Sequence, residues 1–370
     1  MRALHLAAGN LFGGIERMLI GIASAAREDC TNDFAVCFDA RLARELRAAG
    51  ALPHVLGDVR FRRPDTVWRA RRALKRLIES GAPDAIVAHA PWSCVLAAPI
   101  ARRAGLPLLM WVHDAPAPDE WAERRISRLK PARFICNSHY TARLVAEWMP
   151  EVPRNVVYPP VHAAREVGAD ERRRVREDAG ASDTTTVILL AARLEAWKGH
   201  AVLIEAAMRL RGDVAIWIAG GPQRPSEAEY YERLLTLAAD PSCAARVRFL
   251  GERTDIGRLM AAADIYCQPN TRPEPFGVVL VEALSAKLPV VTTGMGGAAE
   301  IVDHRCGILF TEPTVANVAH ALQRLVDDRA LRSALGAAGP SYARRVSDPS
   351  TRLRQMCAVV RAACVRSSAA

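Results

Sequence analysis

Gln268-Pro-Asn-Thr-Arg-Pro-Glu-Pro-Phe-Gly-Val-Val-Leu-Val-Glu282 is the stretch whose reading decides the fold. The apolar run before it, Ala261 to Cys267, predicts a buried strand that stops at Pro269 in a polar, proline-rich loop. Pro275 suits the first turn of a new helix, because its missing N–H would be unpaired there anyway. From Gly277 the apolar residues continue through Ala286, long enough for a buried helix. Glu274 then stands just before the helix and Glu282 about two turns into it. A helix N-terminus offers free N–H groups and partial positive charge, which suits a phosphate. A carboxylate beside a phosphate is repelled unless it accepts hydrogen bonds from hydroxyls. Phosphate with hydroxyl-rich groups on both sides describes a sugar nucleotide, with Glu282 on a ribose diol and Glu274 on the sugar. Two unrelated surface carboxylates would give the same spacing, so the surrounding chain must decide.

Moving toward the N-terminus, Thr186–Ala191 predicts a strand, followed by Arg193-Leu-Glu-Ala-Trp-Lys198-Gly-His. Arg193 ends the strand and Lys198 precedes a helix, which puts both cations at the carboxyl edge of a sheet. Ala215-Ile-Trp-Ile-Ala-Gly-Gly-Pro222 is a buried strand stopped by Gly220, Gly221 and a proline, and Val247–Leu250 is a strand ending in Gly251-Glu-Arg253. Beyond Glu282 come Gly296-Gly-Ala-Ala-Glu300 and Asp303 to Phe310.

Set between a strand and a helix, Glu274-Pro-Phe-Gly-Val-Val-Leu-Val-Glu282 resembles the signature of retaining glycosyltransferases of family 4. Arg193 to Lys198 is similar to that family's Arg-x(4)-Lys-Gly pair, which grips the donor diphosphate; the glycine usual before the arginine is Ala192 here. The Gly220-Gly221-Pro loop, the Gly-Gly-x-x-Glu at Gly296 and the Asp-x(3)-Gly-x-Leu-Phe at Asp303 also match, in order and spacing from Lys198 to Phe310. The resemblance implies an α/β architecture of two facing Rossmann-like domains, the GT-B fold, with a deep interdomain cleft. It also implies a donor site lined by Glu282, Gly220, Gly221, Arg253, Pro275, Phe276, Gly277 and Val278.

The first half supports this more thinly. Strand-like and helix-like stretches alternate, the pattern of a parallel sheet covered by helices. Strands are predicted at Leu4–Ala8, Phe34–Phe38, Ala85–His89, Leu108–His113 and Arg133–Asn137. Gly9-Asn-Leu-Phe-Gly-Gly-Ile-Glu16 leads into a helix to about Ala26; it is not Gly-x-Gly-x-x-Gly, so a dinucleotide fingerprint is absent. Gly13 and Gly14 would let a backbone approach a ligand closely at a helix start, and Gly-Gly-x-Glu resembles the first loop of many family 4 enzymes, which implies a place for both glycines in the donor site, near the phosphates. A plain tight turn is the alternative. Ligands of open α/β sheets bind outside the carboxyl ends of strands, which makes His89, His113, Asp114, Asn137 and Ser138 candidates for the acceptor side. The resemblance adds that family members often carry a histidine at the position of His113, close to the transferred sugar. Ser138 also suits an N-cap for a helix over Tyr140–Met149.

Pro-Pro at 159–160 cannot continue a helix, so the linker falls at Pro159 to Val161. The domains are then 1–160, an acceptor-side Rossmann-like domain, and 161–345, the donor domain, opening on a surface helix over Asp170–Ala179. The segment 346–370 carries a last helix near Arg352–Val365, which the resemblance implies crosses back to the first domain.

With 370 residues, half of them hydrophobic and 24% charged, the chain is long enough for two cored domains of ordinary soluble composition. No apolar run reaches the length of a membrane span. Nine scattered cysteines, without a zinc spacing, point to reduced thiols in the cytoplasm, with Cys136 and Cys267 in the core. The net charge of +10 is uneven: Arg41 to Arg76 holds eleven Arg or Lys against three acids. Such a face attracts anions, and missing interleaved aromatics argue against nucleic acid. Trp121 to Lys130 is basic and amphipathic; packing on the domain outweighs contact with a membrane.

The reading is a retaining, metal-independent glycosyltransferase that moves a sugar from a UDP- or GDP-sugar to a glycan, lipid-linked or small-molecule acceptor. Arg193, Lys198, Glu274 and His113 are its catalytic candidates. No cofactor is expected, since the nucleotide sugar is the substrate. No metal is expected either: there is no Asp-x-Asp, so the charge on the diphosphate must be met by Arg193 and Lys198. The acceptor is anionic or membrane-borne, and the protein is cytoplasmic, peripheral at the inner face of the membrane. An epimerase or phosphorylase on the same fold, or a non-catalytic sugar-binding relic, are the alternatives.

Overall fold

The computed structural model describes residues 1–25, 30–163, 166–243 and 245–367. Two compact units emerge, Met1–Pro160 with Ser347–Ala370, and Val161–Val346.

In the first unit β1 (Arg2–Ala7), α1 (Gly14–Ser24), β2 (Thr31–Val36), α2 (Arg41–Ala48) and β3 (His54–Val55) follow in turn. Next come α3 (Pro64–Gly81), β4 (Ala85–Ala88), α4 (Pro91–Arg103) and β5 (Leu108–Val112). The chain continues through α5 (Trp121–Leu129), β6 (Arg133–Cys136), α6 (His139–Trp148) and β7 (Arg154–Val156). These strands form a seven-stranded sheet in the order β3-β2-β1-β4-β5-β6-β7, with every pair parallel. Alternation sends Leu4 and Leu6 of β1 to the core under α3, α4 and α5, and Ala3 and Ala7 to the opposite face.

The second unit runs α7 (Ala169–Asp178), β8 (Thr186–Ala191), α8 (His200–Ala207), β9 (Val214–Ala219), α9 (Pro225–Ala238) and β10 (Val247–Gly251). It goes on with α10 (Ile256–Ala262), β11 (Ile265–Gln268), α11 (Val278–Ser285), β12 (Val290–Thr293) and α12 (Ala298–Ile301). It closes with β13 (Gly307–Phe310), α13 (Val315–Asp327) and α14 (Arg329–Ser347). Its six-stranded parallel sheet is ordered β10-β9-β8-β11-β12-β13. β8 and β9 are buried at every position, as central strands covered on both faces must be, and hence read as unbroken apolar runs. The last helix, α15 (Pro349–Ser367), belongs to the first unit, where Leu353, Met356 and Val360 join Met18, Leu19 and Ile22 of α1 in one core.

Each sheet reverses its strand order once, between β1 and β4 and between β8 and β11. Those are the places where loops diverge and leave room for a ligand beyond the strand ends. The loops that follow β8 and β11 carry Arg193, Lys198 and Glu274.

Several boundaries differ from expectation. Ala261 and Ala262 end α10, so the strand begins only at Ile265; two buried elements joined by a short turn make one continuous apolar run. α11 starts at Val278 rather than Pro275, with Gly277 as its N-cap at φ +101°. Glu282 is therefore in its second turn, closer to the start than predicted. Ala26, the expected end of the first helix, lies outside the described residues; α1 is helical through Ser24. The predicted surface helix, α7, buries Arg176, whose guanidinium donates to the Ala262 carbonyl at 2.6 Å and pairs with Asp264 at 3.2 Å. On α5 only Ala122 and Ile126 face the core, while Trp121 and Leu129 stay 45% and 40% exposed. That helix does not pack with all its apolar residues inward.

Candidate active site

In the second unit a carboxylate is held by one of its two oxygens. Glu274, 6% exposed, accepts at Oε2 from Lys198 Nζ at 2.7 Å, Gln268 Nε2 at 3.1 Å and Asn270 Nδ2 at 3.1 Å. Among the described residues Oε1 has no such donor, so its lone pairs are open to a ligand. The amides are set in turn. Tyr266 is fully buried, and desolvation pushes its phenol well above the ordinary value. It therefore stays a donor, giving its proton to Gln268 Oε1 at 2.8 Å. Gln268 Nε2 then also donates to Asn270 Oδ1 at 2.9 Å. Tyr266 and Gln268 alternate along β11, which brings both to one side, and a turn at Pro269, closed by Asn270 N–H donating to the Gln268 carbonyl at 3.0 Å, sets Asn270 beside them.

The backbone around Glu274 is pinned from the loop after β12. Glu274 N–H donates to the Met295 carbonyl at 3.3 Å and Gly297 N–H donates to the Glu274 carbonyl at 2.7 Å. At Gly277 a side chain would need φ +101° and would meet Leu280 Cδ1 at 2.8 Å, so only glycine turns the chain into α11. Pro275 and Phe276 are buried between those two fixed points, and Val278 opens the helix.

The cations sit on the loop after β8. Lys198 Nζ lies 3.8 Å from the centroid of the Trp197 ring as well as against Glu274. An ammonium has three donors, so this geometry fixes its position without using them all. Arg193 Nη2 donates to Glu195 Oε1 at 2.8 Å, while Glu195 Oε2 is buried with no hydrogen-bond partner among the described residues. Gly220 packs this loop against its neighbours: a Cβ there would lie 2.1 Å from the Ala192 carbonyl oxygen, and its N–H donates to the Gly251 carbonyl at 2.8 Å. Gly221 stands beside Glu252. Arg253 is already committed to Asp255 through two hydrogen bonds of 2.8 Å. Glu282 is half-buried on α11.

In the first unit the strand-end histidines form part of a row. His5 Nε2 lies 3.1 Å from Asn32 Oδ1, His5 Nδ1 lies 2.9 Å from His89 Nε2, and His89 Nδ1 lies 3.0 Å from His113 Nε2. The Asn32 oxygen can only accept, so His5 donates from Nε2 and must accept at Nδ1. His89 then donates from Nε2, and His113 does the same to His89. Each ring is thereby fixed as the Nε2–H tautomer, with His113 Nδ1 left as an acceptor. Burial lowers all three: His5 to about 4, His113 to about 3, and His89 well below its usual value. A neutral His113 is suited to accepting a hydroxyl proton in a hydrogen bond and unsuited to acting as an acid at neutral pH.

The remaining first-unit candidates are engaged locally. Asn137 Nδ2 donates to the His113 carbonyl at 3.2 Å, and Ser138 Oγ caps α6 by accepting from Thr141 N–H at 3.0 Å. Asp114 is exposed and accepts from Ala115 N–H at 2.8 Å. Gly13 N–H donates to Glu16 Oε2 at 2.9 Å, and Gly14 begins α1. The Glu16 carboxylate thus takes the Gly13 amide expected to face a phosphate.

Tyr266, Gln268, Asn270, Glu195, His5 and Asn32 were not singled out from sequence. The first three carry a readable signal, polar residues at every second position in an apolar run. His5 and Asn32 carry none, because their partners are supplied by neighbouring strands. Among the described residues no three His, Cys, Asp or Glu side chains gather as a metal site.

This geometry sits in a chain that matches two family models, "Glycosyltransferase Family 4" over residues 12–165 and "Glycosyl transferases group 1" over residues 171–342. The chain belongs to this family of glycosyltransferases. A GDP-mannose-dependent alpha-(1-6)-phosphatidylinositol monomannoside mannosyltransferase of Mycobacterium tuberculosis is 30% identical over 315 residues, 79% of this chain and 76% of that one. A GDP-mannose-dependent monoacylated alpha-(1-6)-phosphatidylinositol monomannoside mannosyltransferase of Corynebacterium glutamicum is 34% identical over 47% of this chain and 46% of its own. The chain thus spans about half the length of several curated relatives it matches. In fold it is similar to Anabaena HepE, crystallised in complex with UDP and glucose, with a TM-score of 0.88 and 24% identity over 98% of this chain and 100% of that one.

Proposed function

We propose that this chain is a retaining, metal-independent glycosyltransferase that takes its sugar from a UDP- or GDP-sugar. The observation that carries the reading is Glu274, oriented through Oε2 by Lys198 and two amides, with Oε1 left to receive a hydroxyl of the sugar. Departure of the nucleoside diphosphate develops negative charge, and preorganised cations aimed at that charge lower the barrier. Lys198 and Arg193 are such cations, and the free amides at the start of α11 add to them. A guanidinium can grip two phosphate oxygens while an ammonium acts as a point charge. Glu282 holds the ribose hydroxyls. His113, neutral and accepting at Nδ1, positions a sugar hydroxyl rather than moving a proton. No carboxylate nucleophile is assigned, and the new bond forms on the face from which the diphosphate leaves.

Relatives named for phosphatidylinositol monomannosides support a lipid acceptor carrying a phosphodiester, and with it a cytoplasmic protein at the membrane surface. No described helix is long and apolar enough to cross a membrane. Two measurements test the reading. Incubation with UDP- and GDP-sugars, with the anomeric configuration of the product followed by NMR, should show retention. Chelation with EDTA should leave the rate unchanged, whereas loss restored by manganese or magnesium would overturn the proposed charge neutralisation. Turnover of the donor to an epimer without any acceptor would replace the transferase reading.

A further inference from the structure

On one face of the first sheet, α3 and α5 stand as walls and α4 lies between them as a floor, enclosing a groove of about 1240 Å³. The floor is aliphatic and shallow in side chains: Cys94, Val95, Ala98 and Ala101 line it. Pro99 interrupts the helical hydrogen bonding there, since it has no N–H for the Val95 carbonyl. Arg71 of α3 takes that place, donating from Nη2 to the Val95 carbonyl and from Nε to the Leu96 carbonyl, both at 3.2 Å.

A guanidinium is thereby fixed in the groove wall, half-buried, with further arginines around it. Burial and the nearby charges of Arg125 and Arg103 make Arg71 easier to deprotonate than usual. None of Arg71, Arg102, Arg124, Arg125 and Arg128, which line the groove, forms an ion pair among the described residues. On the same helix as Arg71, Arg69 pairs with Asp65 at 2.7 Å and Lys75 with Glu79 at 2.6 Å, which uses both of its acids and leaves none for Arg71. Like charges gathered without a counter-charge are a cost that a bound anion removes. Trp68 and Trp121, 61% and 45% exposed, stand on the walls, with Trp121 against Phe61 at 4.7 Å. Exposed indoles beside arginines above an aliphatic floor match the interface of a bilayer, where rings sit at headgroup depth and cations meet phosphates. Nucleic acid would call for stacking surfaces along a phosphate track, and this floor offers none.

We propose that this groove docks the protein on a membrane of anionic phospholipid, with a lipid phosphate at Arg71 and Arg125 and the acyl portion along α4. The inference deepens the lipid-acceptor reading above, but it stands on the groove and is tested without any transfer. The full chain is sedimented with vesicles of phosphatidylcholine alone and of phosphatidylcholine with phosphatidylglycerol. Binding should require the anionic lipid. The triple change Arg124→Gln, Arg125→Gln, Arg128→Gln should weaken it about 100-fold, roughly fivefold for each basic residue at an anionic surface. The same positions changed to Lys keep the charge and should bind within about threefold of the parent. A charge-matched triple in the second unit, Arg209→Gln, Arg211→Gln, Arg324→Gln, should also stay within about threefold. Trp68→Ala with Trp121→Ala should lower binding about tenfold, including at high salt where exposed charges are screened. Equal loss in both glutamine triples would reduce the effect to bulk charge and overturn the proposal. So would equal binding to both vesicle types, binding to neither, or displacement of vesicles by single-stranded RNA at equal phosphate. A failure here leaves the donor chemistry of the second unit untouched, and a failure to transfer sugar leaves vesicle binding intact.

Discussion

Both units put a polar cluster at the carboxyl edge of a parallel sheet, but they solve the cost of burying it in opposite ways. In the second unit the cluster is charged: Lys198 and Glu274 neutralise each other at 2.7 Å, and Gln268 and Asn270 satisfy the same carboxylate oxygen. In the first unit the cluster is neutral: three histidines pass hydrogen bonds from ring to ring, and burial keeps each below its ordinary protonation range. A charge is retained inside a protein only where an opposite charge and hydrogen bonds compensate it; otherwise the group neutralises. The difference fits different tasks. In the proposed function, cations held in place answer the growing charge of a leaving diphosphate, while neutral lone pairs answer a hydroxyl.

The charged cluster should break hardest. Lys198→Ala removes a cation in contact with Glu274 and should lower kcat about 10²- to 10³-fold, with a smaller change in donor affinity. Single-turnover transfer beside calorimetric binding separates the two effects. If affinity falls as far as rate, Lys198 binds the ground state and the charge-development account fails.

The neutral cluster should break with acid. His5, held at about 4, binds its proton less readily in the folded chain than at the ordinary 6.5. Its contribution is fully present above pH 6.5 and is lost as pH falls toward 4, because there the unfolded chain binds more protons. The slope is about 1.4 kcal/mol per pH unit for each histidine of the row. Denaturant melts of the parent and of His5→Gln between pH 7 and pH 4.5 should show a flatter decline in the variant. Parallel curves would mean that the row does not govern acid stability.

A subtler change sharpens the contrast. Glu282→Ala should weaken binding of the preferred nucleoside diphosphate by roughly 1.5–3 kcal/mol, the worth of hydrogen bonds to a charged group. Unchanged affinity in calorimetry would remove Glu282 from the site. Tyr266→Phe leaves Gln268 Oε1 without its donor and should cost about 1 kcal/mol in stability. It should also lower kcat while leaving KM near its parent value. Arg253→Ala should have the smallest effect, within about twofold on donor binding, because its guanidinium is paired with Asp255 and exposed. A large loss there would show that the pair opens to meet the nucleotide.

The sequence by itself determined the architecture of two Rossmann-like α/β units, and it singled out Arg193, Lys198, Glu274 and Glu282 as candidates, of which the structure brings Lys198 and Glu274 into contact. It could do so because strands buried on both faces are apolar along their whole length and residues such as Gly277 and Ser138 mark helix starts, so both leave local traces. The elements it misplaced were those where two buried segments abut, as at Ala261 to Cys267, or where a fixed glycine delays the helix, as at Gly277. Only the tertiary structure decided how the polar groups are used. That Lys198 and Glu274 share one ion pair, that Asn32 sets the tautomer of His113 through two other rings, and that α3 and α5 combine their arginines over α4 are facts about neighbours. The residues concerned lie on different strands and helices, and hydrogen-bond direction, burial and charge balance exist only once the sheet has set those elements side by side.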